Sequence, residues 1–413
     1  MRHAEAHADG GSPHAMRTLE HVLVSPLEPE LLTTPAAISS FVAHARNENA
    51  MAFDTEFIGE ESFHPRICLI QLATTKRVAL LDPVELDASD LAPMWEFVCS
   101  PDCTTIVHAG SQDVQAAERI AGRRCTNVID TQIAAGFLGM SWPASLGSVV
   151  HGITKHRLSK GHTFTDWDSR PLTHSQLAYA ADDVRYLPLV WSVQRTQLED
   201  QGRIAWALAE TEEYLRTTDA FNPESQVRRA ARGLGLRPRV MTILRELVIL
   251  RYELARECDM PPRTVIPDGP LLELARTKIG KPAELFEIRG LSRQIVEGHG
   301  DRILRTIDGA RNLPLDRDRI WTPPEESAED RVRIDALWSI LTMRCISMGI
   351  SMSLALTRAE LSRWYLSKGR AEGQPLFAAD SWRAEAIGHW LEAFLNGSER
   401  LTLAWRHDGP IVP

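Results

Sequence analysis

No stretch of this sequence approaches the ~20 consecutive apolar residues that a bilayer-spanning helix needs. Its opening residues, MRHAEAHADGGSPHAM, hold no apolar core of signal-peptide length. A soluble, cytoplasmic protein is expected, with no membrane association and no obligate protein partner. Cysteine is sparse: Cys68, Cys99, Cys103, Cys125, Cys258 and Cys345 are scattered without the paired close spacings of a zinc site. Buried free thiols in a reducing compartment are the reading. Also missing are a nucleophile-elbow pattern and a Gly-rich phosphate loop. Positive charge is short as well, the formal net charge being −9, which argues against coating nucleic acid by bulk electrostatics. A local basic track leading into an acidic pocket stays open.

What is present is an ordinary globular composition, 44% apolar and 24% charged, in a chain of 413 residues, long enough for two or three domains. Residues 1–18 are small, polar and His-bearing, and read as a disordered tail. From 19 to 215 short strand-like runs alternate with helical ones, pointing to an α/β domain. AMAFDTEF, RICLIQLAT and RVALLDPV lie too close together for crossover helices and predict an antiparallel meander. TTIVHAG and NVIDTQIA, each separated by enough chain for a helix, complete a mixed sheet flanked by helices. A basic, Gly- and Pro-punctuated link covers 216–235. Beyond it the periodicity is helical, giving one all-α module over 236–315 and, after the break RIWTPPEESAED, a second over 326–410. The two modules share an order of elements that reads as a weak internal repeat.

Asp54 and Glu56 stand two apart in FDTEF, so a strand points both carboxylates to one face of the sheet. Either that face is wet or a cation lies between them, and hard Mg²⁺ or Mn²⁺ would suit all-oxygen ligands. Asp113 falls in the first turn of a helix beginning near Ser111, a placement that by itself needs no function. In YAADDVRYLPLVW the i, i+4 rule sets Tyr179 and Asp183 on one helix face and turns Asp182 away by about 100°. Asp182 is therefore expected to be the surface charge of the pair. Several carboxylates holding two divalent ions are a known solution for phosphodiester cleavage, with no nucleophilic Ser or Cys required.

Taken in order, FDTEFIGEESFHPRICLIQLAT, VHAGSQDVQAAERI, VIDTQIAAGFLG and KGHTFTDWDSRPLTHSQLAYAADDVRYLPLVW resemble the ribonuclease D family of 3'-to-5' exonucleases. The resemblance implies a ribonuclease H-like exonuclease fold in which Asp54, Glu56, Asp113 and Asp183 bind two divalent metals, Mg²⁺ or Mn²⁺, and Tyr179 positions the attacking water. A sister group carries His five residues before the last acid, where this chain has Ala178, so the tyrosine type is indicated. PPRTVIPDGPLLELA and FEIRGLS look like the helicase-and-RNase-D C-terminal (HRDC) domain, and 326–410 like a divergent second copy. One departure lies in KGHTFTDW, where the family more often has Glu or Gln at Gly161 or His162. The activity implied is trimming of RNA 3' ends, tRNA precursors included. A DNA exonuclease and a non-catalytic RNA scaffold are the other readings.

A strand entering such a pocket needs cations and stacking rings. Lys155, His156, Arg157, Lys160, Trp167 and Arg170 lie near the last motif and His108 at a strand end. Arg228, Arg229, Arg232, Arg237 and Arg239 form a basic run. Lys160, Trp167, Arg170, His108, Arg229 and Arg232 are the nucleic-acid candidates. Trp167 reads equally as helix–sheet packing and Arg170 as half of an ion pair.

Overall fold

The structure is a computed structural model and describes residues 19–25, 28–59, 62–158, 166–219, 221–231, 234–315, 326–367, 375–402, 404–406 and 409–411. Lys160, Gly161, His162 and Arg232, and the expected tail 1–18, lie outside the described residues.

The N-terminal half runs β1 (Glu30–Leu31), α1 (Pro35–Glu48), β2 (Ala50–Ile58), β3 (Arg66–Ala73), β4 (Val78–Leu81), α2 (Ala88–Val98), β5 (Thr104–Val107), α3 (Ser111–Ala121), β6 (Val128–Asp130), α4 (Thr131–Phe137), α5 (Leu146–Thr154), α6 (His174–Arg185), α7 (Leu187–Asp200) and α8 (Ile204–Asp219). Its sheet has the order β1-β4-β3-β2-β5-β6. The meander β2-β3-β4 is antiparallel as expected, and β5 and β6 continue the sheet in parallel after helical connections. The two-residue β1, too short to announce itself by alternation, adds a parallel edge beside β4.

Alternation along β2 sorts the sheet into two faces. Met51 and Phe53 join Ile70 and Leu72 in a core beneath α1 and α2, while Ala52 and Ala73 face α6 and α7 in another. Asp54 and Glu56 share the register of Ala52 and therefore its face. Cys99 and Cys125, expected as free thiols, are joined as a disulfide, because the chain leaves through β5 and α3 and returns to bring their Cα atoms to 4.0 Å. Cys68, Cys103 and Cys345 are buried free thiols.

The first helical module comprises α9 (Pro223–Ala231), α10 (Pro238–Glu257), α11 (Pro262–Val265), α12 (Asp268–Arg276), α13 (Pro282–Leu285) and α14 (Arg293–Asn312). The expected basic link is thus partly helical. Val227, Ala230 and Ala231 of α9 are buried in the core built by Leu244, Leu247, Leu271 and Ile303. Arg239, one of the run's cations, donates to the Ala310 and Leu313 carbonyls at the end of α14.

The last helices are α15 (Ala328–Met348), α16 (Met352–Ala355), α17 (Arg358–Leu366) and α18 (His389–Leu395), the last preceded by a π-turn over Ala384–Gly388; a two-stranded ribbon, β7 (Ala404–Arg406) and β8 (Gly409–Ile411), follows. The buried side chains of these helices are continuous with the core of the α/β half. Leu341, Leu354, Trp382 and Ile387 are buried in one cluster with Ile133, Phe137, Leu198 and Ala207 of the α/β half. Trp382 meets Phe137 edge-on at 4.6 Å. Glu210 on α8 accepts from the Trp382 indole at 2.6 Å and from both Arg383 terminal nitrogens at 2.7 Å. Backbone contact is close here too: the Ser351 amide donates to the Gly136 carbonyl at 2.8 Å, and a Cβ on Gly136 would lie 2.8 Å from Leu354.

Candidate active site

Four acids and a tyrosine, brought from β2, α3 and α6, line one cavity of about 560 Å³: Asp54, Glu56, Asp113, Tyr179 and Asp183. Each is placed by a local device. Asp54 and Glu56 sit two apart on β2, just before a register shift against β3 between Glu56 and Phe57. Such a bulge bends the strand and ends regular pairing beside the pocket.

Asp113 enters in the first turn of α3, whose start is crowded by the Val107 side chain. Gly110 precedes the helix with Val107 so close that an added Cβ would lie 2.5 Å from the valine Cβ. Before it, Ala109 takes a left-handed φ of 56°. Its amide donates to Asp130 Oδ1 at 3.0 Å, and the same oxygen accepts from the Gln132 amide at 2.8 Å to cap α4. Burial pushes the Asp130 carboxyl up to about 6. The Asp113 side chain is then held from β2: Oδ1 accepts from the Thr55 amide at 3.1 Å and from the Thr55 hydroxyl. Thr55 points away from Asp54 and Glu56 along the strand yet ties the third acid to it.

α6 opens with a capping box, Thr173 and Gln176 satisfying each other's amides. One turn separates Tyr179 from Asp183, and their side chains are hydrogen bonded. Asp182 does not line this cavity. It is not an idle surface charge, however, because it accepts from the buried Arg185 at 3.1 Å, which in turn donates to the Ser25 carbonyl at 2.6 Å. Asp182 holds an interior arginine that pins the chain entering the domain.

The electrostatics are those of like charges forced together. Asp54 is raised well above the usual carboxylate range by burial and by the charges of Asp113, Asp183 and Glu56. Burial, with Asp183 and Asp113, lifts Glu56 to about 8, and burial lifts Asp183 to about 7 against the Tyr179 hydrogen bond. Asp113 is raised by burial, opposed by the Thr55 donors. Tyr179 is raised by burial and by the neighbouring acids, so its phenol keeps its proton at neutral pH. Among the described residues no three His, Cys, Asp or Glu side chains close around one point. The carboxylates share a wall but stand apart, as uncompensated anions do. Their donor set, all oxygen and anionic, fits hard divalent cations.

The nucleic-acid candidates fare differently. His108 lines the cavity, but its Nδ1 bonds the Thr131 hydroxyl at 2.9 Å and its Nε2 the Ala144 carbonyl at 3.0 Å. Burial lowers it to about 4, so it is neutral and cannot serve as a phosphate-binding cation. Trp167 is 6% exposed and packs against Leu69, Leu80 and Ala180. Tyr179 lies against it with ring centroids 6.2 Å apart, so the indole backs the Tyr179 phenol instead of offering a face to a base. Arg170 is bound by Asp82 and donates to the Trp167 and Cys68 carbonyls, leaving no free fork for phosphate. Arg229 is exposed beside Arg228 on α9, where both line a separate cavity. Thr55 and Asp130 were not singled out from the sequence. Only the Asp of VIDT, an acid between a strand and a helix, offered a sign, that of an N-cap.

Comparison with known proteins identifies the family. A profile of 3'-5' exonuclease domains matches residues 29–199, and one of HRDC domains matches 241–307. Ribonuclease D of Escherichia coli is 34% identical over 377 residues, 89% of this chain and 98% of the relative. The chain belongs to the ribonuclease D family. Ribonuclease D of Bartonella henselae is 30% identical, with 89% of this chain and 90% of the relative covered. Among solved structures, E. coli RNase D, described as an exoribonuclease involved in structured RNA processing, superposes with a TM-score of 0.72 at 28% identity, covering 91% of this chain and all of that one. In that family's manner, a 3'-5' exonuclease domain is followed by a helical HRDC domain.

Proposed function

We propose that this ribonuclease D family member is a divalent-metal-dependent exoribonuclease that removes nucleotides from RNA 3' ends and releases nucleoside 5'-monophosphates. The observation that carries it is the meeting of Asp54, Glu56, Asp113, Asp183 and Tyr179 in one cavity. The four carboxylates would hold two divalent ions, Mg²⁺ or Mn²⁺. When bound, such ions stabilise charge on the attacking and leaving oxygens of an in-line displacement. Thr55 keeps Asp113 turned to the cavity and limits its cost of ionisation. Tyr179, protonated and one turn from Asp183, orients the attacking water through its hydroxyl. The walls of Leu146 and Leu187 exclude bulk water from one side. Precursors of tRNA and other structured RNAs with 3' tails are the substrates, and the cytoplasm the compartment; no helix among the described residues is long and apolar enough to cross a membrane.

Incubation with a 3'-tailed RNA and Mg²⁺ tests the reading. Stepwise release of 5'-monophosphates, lost in Asp54→Asn, is the expected result. Preference for a matched DNA strand, or full activity in Asp54→Asn, would overturn it.

A further inference from the structure

A second cavity, about 770 Å³, adjoins the carboxylate site and shares Phe57 and Gln112 with it. Its walls come from two parts of the chain: α3 and the β2–β3 connection on one side, α10 and the start of α11 on the other. The character of the wall inverts across the boundary. Arg119, Arg123, Arg124 and Arg256 line it together with His64, and Glu118, the one lining acid among the described residues, is paired with Arg124 at 3.0 Å. This is a concentration of positive charge in a chain whose net charge is −9.

Rings accompany the cations. Phe63 meets Tyr252 edge-on at 5.1 Å, and Tyr252 stacks on Phe221 at 4.0 Å. The Phe63 amide donates to Asp259 at 3.2 Å, so the connection leaving the catalytic strand is anchored on the helical module. Tyr252 and Pro262 also line a third cavity, of about 580 Å³, which holds Arg228 and Arg229. The three hollows are consecutive, each sharing residues with the next.

We propose that they form one track, along which single-stranded RNA upstream of the scissile phosphate runs from the carboxylates between α3 and α10 to α9. Cations spaced along a groove neutralise phosphates, and interleaved rings take bases without regard to sequence. Gln115, whose amide nitrogen is buried in the wall without a partner, adds a donor that a strand would satisfy. The basic run read from the sequence thus acts through Arg228 and Arg229, at the far end of the track.

The proposal rests on the exonuclease reading above, and the two fail separately. Fluorescein-labelled A12 and A3 oligoribonucleotides are titrated by anisotropy against the full chain, with Ca²⁺ replacing Mg²⁺, between 50 and 300 mM salt. Arg123→Glu/Arg256→Glu, both exposed positions, is expected to weaken A12 at least ~10-fold and to shrink the slope of log K on log salt by about 1.4, near 0.7 per lost phosphate contact. The advantage of A12 over A3 should collapse. Arg195→Glu/Arg333→Glu, equal in charge but outside all three cavities, should leave A12 binding within about 2-fold. Equal weakening by the control pair, A12 binding in the first variant within 2-fold of wild type, or a wild type that holds A12 no tighter than A3 would each overturn the track. If the first variant alone loses A12 while wild type with Mg²⁺ releases no monophosphate, the track stands and the exonuclease reading falls.

Discussion

Replacing Glu56 by Gln should abolish hydrolysis and yet stabilise the metal-free protein. In the fold Glu56 titrates near 8, against an ordinary 4.5, because burial and the charges of Asp183 and Asp113 oppose its ionisation. A carboxyl raised on folding binds its proton more tightly in the native state. Its contribution is therefore most favourable below about 4.5 and is lost as the pH rises towards 8. At pH 7.5 the three units separating the medium from the unfolded value correspond to a ceiling of ~4 kcal/mol, at ~1.4 kcal/mol each. The side chain is only partly buried, and screening by solvent brings the expected gain of Glu56→Gln to roughly 1–2 kcal/mol. Urea unfolding in EDTA at pH 5, 6.5 and 8 measures it: the wild type should weaken steadily over this range, while the variant weakens less. Adding Mn²⁺ should reverse the order, because binding to the native state stabilises by RT ln(1 + [L]/Kd) and the variant has lost a ligand. A Glu56→Gln protein no more stable than wild type in EDTA at pH 8, with the same pH slope, would refute the picture of a like-charge site awaiting cations.

Other substitutions probe the supports. Tyr179→Phe should keep Mn²⁺ affinity by calorimetry and lower kcat by about 10²-fold, the scale of a lost proton-positioning group. Thr55→Val removes the hydroxyl donor to buried Asp113 and should destabilise the fold by about 1–2 kcal/mol while weakening Mn²⁺ binding. Gly110→Ala, driven into Val107, should displace the first turn of α3 and depress activity at least ~10-fold for a stability loss of about 1–3 kcal/mol. Glu210→Ala leaves the Arg383 guanidinium and the Trp382 indole without their shared acceptor, and should cost about 3 kcal/mol in denaturant unfolding.

Two parts of the site were legible because short-range geometry carries them. A period of two aligned Asp54 with Glu56, and a period of 3.6 aligned Tyr179 with Asp183 while turning Asp182 aside. Asp113 was different: its helix-start position has a sufficient local explanation, and only the ordered resemblance to ribonuclease D gave it a role. Thr55 was invisible, since its partner lies 58 residues away and a threonine between two acids breaks no pattern. Arg170 and Trp167, which the sequence left between two readings, illustrate the converse difficulty. A cation and a ring near a motif look alike in sequence whether they face solvent or, as here, Asp82 across 88 residues and the back of a tyrosine. His108 failed for the same reason, its two ring nitrogens being taken by groups 23 and 36 residues ahead. Amphipathic periodicity announced the final helices but not what their apolar faces cover, and that is the α/β half itself.

That shared core bears on the order in which the molecule is made. Synthesis delivers the N-terminal end first, and independent domains fold as they emerge. Here Phe137 is covered by Trp382 and Ala207 is buried in one cluster with Ile387, so the nuclease half leaves the ribosome with one flank still bare. It is finished only after the intervening module and the last helices have been translated. A chain halted before residue 382 would carry the four acids and the tyrosine of the proposed centre on an incomplete body, exposed to proteolysis, which ties assembly of that centre to translation of the last helices.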